Sequence, residues 1–204
     1  MSKKQPQLDA RAIRDPAHIR LLASPVRQEL ADTLASLGGE ATVALLAAQL
    51  ARPADGLYYH LQLLAESGLV TEREGAGGER VFSLAGAGRA PLRLSYELAS
   101  DEAREALAAY VRGLAQVAES DFKAGLAQED VDVEGGRRQL WAARNKGWVS
   151  AAELEEVNAL LERLCELLSQ SRDESRDRPM SLAFVLAPSL GRGRRRTAGR
   201  AKRR

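Results

Sequence analysis

The sequence predicts an α+β fold that is predominantly α: an N-terminal unit of short helices closed by a β-hairpin, then a mostly helical second half. Three observations carry this. Residues 57–70 run from an apolar stripe at helical spacing (Leu57, Leu61, Leu64) through Gly68 into Leu69-Val70-Thr71, the pattern of a helix with a left-handed glycine stop that leads into a strand. Residues 70–74 and 79–84 flank Gly75-Ala76-Gly77-Gly78, as two strands flank a hairpin loop. Ser100 and Ser150 each stand ahead of acids and a long apolar periodicity, which marks two capped helices.

In chain order, residues 1–11 form an N-terminal extension that includes Lys3 and Lys4. Ser24 is placed to cap a helix and Pro25 to occupy its first position, with Val26, Leu30, Thr33, Leu34 and Leu37 turned inward and Gly38-Gly39 ending it. Thr42 can cap a second helix over about 43–50, which carries Val43, Leu46, Ala47 and Leu50 inward. Arg52-Pro53 then breaks the chain before the third helix, whose buried stripe leaves Asp55, Tyr58, Tyr59 and Gln62 on the opposite side. Helix, helix, turn, helix and hairpin is the order of a helix-turn-helix with a wing.

Four pieces make the order more specific: Leu22-Ala23-Ser24-Pro25-Val26-Arg27, Leu57-Tyr58-Tyr59-His60-Leu61, Glu66-Ser67-Gly68-Leu69-Val70 and Arg80-Val81-Phe82-Ser83-Leu84. With them, residues 12–85 resemble the winged helix-turn-helix domain of the ArsR-like bacterial transcription regulators. The resemblance implies double-stranded DNA as partner and a homodimer as the binding form. It delimits a DNA-binding domain at 12–89 and leaves 90–190 as a dimerisation region that could also hold an effector site.

Within that second region, a helix over about 103–127 carries Leu107, Tyr110, Val111, Leu114, Val117 and Ala118 at helical spacing. A second helix follows the Ser150-Ala151-Ala152-Glu153 capping box, with Leu154, Val157, Leu160, Leu161, Leu164, Leu167 and Leu168 in one broad stripe. Stripes this wide need a partner surface. Residues 138–142 and 180–186 are strand candidates that could pair into a small sheet, residues 171–178 form a polar linker, and the tail 191–204 reads as disordered by itself.

The net charge of +2 hides a division. Residues 191–204 hold eight bases and no acid, which leaves −6 for residues 1–190, and residues 12–89 carry seven bases against nine acids. Phosphate contact can still come from a local patch, for which Arg27, Arg52, Arg73 and Arg80 are the candidates, with Lys3 and Lys4 ahead of them, and the basic tail 191–204 can add auxiliary contact. Tyr58, Tyr59 and Gln62 can hydrogen-bond phosphates or base edges, and Arg52 a phosphate or a guanine. Asp55 would repel phosphate unless it caps the helix or accepts from a cytosine amino group, and capping is the expected role. His60, beside the buried stripe, is expected to be a structural hydrogen-bonding residue.

Other function classes find little support. One cysteine, Cys165, excludes an intramolecular disulfide and fits a reducing compartment. His18 and His60 do not pair with it at ligand spacing, so neither metal nor cofactor is expected. No glycine-rich phosphate loop, nucleophile elbow or carboxylate pair suggests an enzyme. The longest apolar stretch, near 180–186, is far short of the ~20 residues that span a bilayer, and a cytoplasmic location is expected. Trp141, Trp148, Phe184 and Tyr110 are core or dimer-interface residues, or else line a pocket for a small-molecule effector. The reading is a homodimeric, sequence-specific transcription regulator on a pseudo-palindromic operator, with repression the more common mode. The alternatives are an architectural DNA binder that uses the basic tail, and a winged domain used as a protein-interaction module.

Overall fold

The computed structural model describes residues 12–85, 93–95, 98, 100–170 and 172–189. The N-terminal extension, the 89/90 boundary and the basic tail of the sequence reading lie outside them, as do Lys3 and Lys4. The fold is α+β, predominantly helical, with a three-stranded antiparallel sheet beside the N-terminal helices.

Strand β1 (Ala12–Ile13) leads into α1 (Pro16–Leu21), which Asp15 caps by accepting from the Ala17 amide at 2.8 Å. Helix α2 (Pro25–Ser36) starts at Ser24 with Pro25 in its first turn, as the sequence indicates. Ser24 makes no side-chain cap bond, however; its backbone carbonyl accepts from the Arg27 and Gln28 amides instead. Gly38 and Gly39, at φ 96° and 98°, turn the chain through a region closed to most side chains and into β2 (Glu40–Thr42). Thr42 caps α3 (Val43–Leu50), its Oγ1 accepting from the Leu45 amide at 3.2 Å.

Ala51 at φ 49° ends α3, and after Arg52-Pro53 the chain enters α4 (Ala54–Glu66). Gly68 (φ 76°) reverses it into β3 (Val70–Glu74), which pairs with β4 (Arg80–Leu84) in the register Glu72 to Phe82. The hairpin is the expected one. Helix α1 and the third strand are not expected from the sequence: β2 adds to the far edge of β4 with Ala41 opposite Phe82. Three residues between two glycines and a helix cap are too few to show alternation, so β2 exists through its pairing rather than its own pattern.

The core sits between the three helices α2, α3, α4 and the sheet. Leu30, Leu34, Leu46, Leu61, Leu64 and Phe82 are fully buried in it. A short parallel bridge joins β1 to β5 (Arg93–Leu94). Helix α5 (Asp101–Leu126), capped by Ser100 through the Ala103 amide at 3.0 Å, lays its first half on α1 and α2. Ala106 joins the core and Gly113 meets the backbone of Ala23 so closely that a Cβ there would lie 2.3 Å from its carbonyl oxygen. Buried Gln28 fixes the same contact by donating to the Tyr110 carbonyl at 3.2 Å.

Helix α6 (Ala151–Leu168) opens with the full capping box: Ser150 Oγ accepts from the Glu153 amide at 3.2 Å while Glu153 accepts from the Ser150 amide at 2.7 Å. Residues 138–142 and 180–186 form no strand. Neither has a second strand alongside among the described residues, and an isolated strand leaves its backbone groups to water, so strand-forming residues alone do not make a sheet.

A candidate nucleic-acid interface on α4 and the wing

Leu57, Leu61 and Leu64 are at most 1% exposed, so their burial fixes the roll of α4. The opposite face then has to carry Asp55, Tyr58, Tyr59 and Gln62, all exposed. Tyr59 stands out furthest, 65% exposed, with its ring edge against His60 at a centroid distance of 5.3 Å. Gln62 donates to Glu66 at 3.1 Å, one turn on.

Asp55 does not cap the helix. The N-cap position is held by Pro53, which offers no side-chain acceptor, and Asp55 lies in the first turn, where a carboxylate is favoured by the helix dipole. The reason is the start of the helix: it begins three residues before Leu57, so Asp55 is already inside it.

The wing reaches this face through Arg80. Its guanidinium lies 5.2 Å from the Tyr58 ring centroid and 5.5 Å from that of Phe82, within cation–π range. Arg80 also grips Glu72 across the hairpin with two bonds, one of them Nη2 to Oε2 at 2.8 Å. That hydrogen bonding holds the Glu72 carboxyl below its usual range and raises the Arg80 guanidinium.

The other candidate arginines are engaged as well. Arg52 pairs with Glu29 of α2 at 2.7 Å. Arg73 reaches across the sheet to both carboxylate oxygens of Glu40 at 3.2 and 3.1 Å, and Ser83 donates to the same carboxylate at 3.3 Å. Arg27 donates its Nε to the Leu21 carbonyl and is partly buried, which lowers its pKa against the opposing influence of Tyr59. It braces the end of α1 rather than standing free.

His60 is half-buried with Nδ1 unpaired in the described structure. Burial, and then the charges of Arg27 and Arg52, lower its pKa, so it is neutral at pH 7. The sequence reading did not find Glu29, Glu40 and Glu72 as arginine partners. Only the Glu72–Arg80 pair was accessible in principle, since hairpin register sets it on one diagonal. The tryptophans and Phe184 belong to no core: Trp141, Trp148 and Phe184 are exposed, while Tyr110 alone packs against the core. Among the described residues no group of three His, Cys, Asp or Glu is arranged to hold a metal ion, and no helix is long and apolar enough to cross a membrane.

Residues 22–73 match the family model described as a helix-turn-helix domain, a span from the approach to α2 into β3. No curated protein matches the chain. Among solved structures, a double mutant of Lactococcus lactis ZitR is 14% identical, with a TM-score of 0.27 over 70% of this chain and 73% of that one. A Mycobacterium tuberculosis MarR family protein in complex with p-aminosalicylic acid is 15% identical, with a TM-score of 0.26 over 72% of this chain and 90% of that one.

Proposed function

We propose that the protein is a homodimeric, sequence-specific transcription regulator of the ArsR-like kind that represses from a pseudo-palindromic operator. The observation that carries this is the two-sided character of α4: three leucines buried on one face, and Tyr58, Tyr59 and Gln62 exposed on the other with wing Arg80 beside them. A helix so held offers its polar aromatic face to a major groove, and the wing of the same domain meets the flanking backbone. Two such domains related by a dyad read half-sites about one helical turn, ~34 Å, apart. In this reading Tyr59 and Gln62 contact base edges, Tyr58, Arg52 and Arg80 the phosphates, Arg73 the wing-side backbone, Arg27 braces the end of α1 near Tyr59, and Asp55 favours a cytosine amino group. Residues 12–89 bind DNA, residues 90–190 join the subunits and give room for a small-molecule effector, and the tail 191–204 adds affinity without sequence information.

The joint change Tyr59→Ala and Gln62→Ala tests it. Each lost base-edge contact is worth about 10- to 100-fold, so footprinting of genomic fragments should lose the protected pseudo-palindrome while circular dichroism is unchanged. Intact specific binding would sink the assignment of α4.

A second reading, a winged domain that binds protein, is favoured by one observation: Arg52, Arg73 and Arg80 all hold carboxylates of their own domain. Under that reading the double change leaves DNA binding as weak as before.

A further inference from the structure

Beyond α5 the chain carries apolar surface with little to cover it. Helix α6 buries none of its residues: Leu154, Leu160, Leu164, Leu167 and Leu168 are exposed, and Val157, Leu161 and Cys165 are half-buried. The extended segment 137–149 that leads into it leaves Trp141 68% and Trp148 102% exposed. Two exposed tryptophans and an exposed leucine stripe leave more apolar surface open, among the described residues, than a soluble monomer ordinarily shows.

Their charges match. Segment 137–149 contains Arg137, Arg138, Arg144 and Lys146 and no acid, whereas α6 contains Glu153, Glu155, Glu156, Glu162 and Glu166 against the single base Arg163. Arg138 already lies over the Trp141 ring at 3.7 Å, so aromatic and cation present themselves together. A tryptophan buries about 150–250 Å², and two of them with the leucine stripe reach the ~800 Å² per partner of a stable interface.

We propose that segment 137–149 of one copy docks along α6 of a second copy, and reciprocally, so that the dimer is held by an exchange of arms. Trp141 and Trp148 seat on the Leu154, Leu161 and Leu164 face while the arm's four bases meet the helix's glutamates. The dyad repeats the contact twice for one pairing event. This deepens the homodimer reading and rests on it.

Charge reversal in the full chain tests the exchange. One variant carries Arg137→Glu, Arg138→Glu, Arg144→Glu and Lys146→Glu; the other carries Glu155→Lys, Glu156→Lys, Glu162→Lys and Glu166→Lys, with the capping Glu153 kept. Sedimentation should find the wild type dimeric and each variant's dimer weakened ~100-fold or more by like-charge contact. An equimolar mixture should recover a 1:1 heterodimer, because each arm then faces a helix of opposite charge. One chain carrying both sets should dimerise alone, which also shows that the substituted segments still fold. Variants that stay dimeric would overturn the arm exchange and leave the homodimer standing. Variants that dissociate without rescue on mixing place the contact within one chain and overturn it too. A monomeric wild type removes the homodimer itself.

Discussion

At the residue scale, a close approach of two backbones occurs at the glycine where α5 crosses the chain ahead of α2. A Cβ on Gly113 would meet the Ala23 carbonyl oxygen at 2.3 Å and the Gln28 amide nitrogen at 2.9 Å. Gly113→Ala therefore cannot benefit from its better helix propensity and must push α5 off its seat. Overpacking of this kind costs about 1–3 kcal/mol, and a thermal melt should fall by several degrees. Nearby, Asp32 of α2 has solvent at its tip but faces Asp121 of α5 and Glu29. Burial first, and then those two carboxylates, push its pKa from 3.8 up to about 6. A carboxyl raised on folding favours the folded state below pH ~4 and loses that contribution as pH rises through ~6. Asp32→Asn should accordingly stabilise the protein at pH 7 and have little effect at pH 4. Solvent screening keeps the gain to ~1 kcal/mol or less. A Tm that is equally raised at both pH values would refute the carboxylate origin. Neither feature shows fully in the sequence: Gly113 is one glycine inside a helical run, and although Glu29 lies one turn from Asp32 on α2, Asp121 reaches it only when α5 lies across α2.

At the scale of the elements, α4 and the wing were legible because each advertises itself locally. The leucine spacing, Gly68 and the glycine-rich loop define helix, stop and hairpin before any tertiary contact exists. The wrong readings came where local chemistry allowed two outcomes. Asp55 reads as a cap only if the helix starts later than Ala54, and residues 138–142 and 180–186 carry strand-forming residues but find no partner strand alongside among the described residues. The acid partners of the arginines are the largest omission at the candidate site, since Arg52–Glu29 and Arg73–Glu40 join residues far apart in sequence. They carry a prediction. On the DNA-binding reading, Arg80 must share its guanidinium between Glu72 and a phosphate. Glu72→Gln relieves that competition and removes one negative charge from the interface, so affinity for duplex DNA should rise ~3-fold or more at moderate salt. Weaker binding of this variant in a titration would mean that Glu72 positions Arg80 for the phosphate rather than withholding it.

At the scale of the whole molecule, charge is segregated along the chain: the body is acidic and eight bases crowd into residues 191–204. Removal of those residues should flatten the dependence of DNA affinity on salt by up to ~7 in the logarithmic slope, the bound for complete phosphate contact on a B-form duplex. The footprint itself should stay in place. A shifted or lost footprint would give the tail a part in reading sequence. The two helices of the second half were legible but not their arrangement, because the caps at Ser100 and Ser150 state where helices begin and nothing local states what they lie against.

The seat of α5 at Gly113 also makes that helix a lever. Its first half is pinned on α1 and α2, while the thirteen residues after Gly113, through Leu126, extend past the pin by ~20 Å at 1.5 Å per residue. A displacement of ~3 Å at the far end, where Leu140 packs against Gly125, would tilt the helix by ~8° about a fulcrum that touches the loop leading into α2. Because α2 packs against both α5 and α4, such a tilt would bear on the same core that sets the roll of α4 and its exposed tyrosine face.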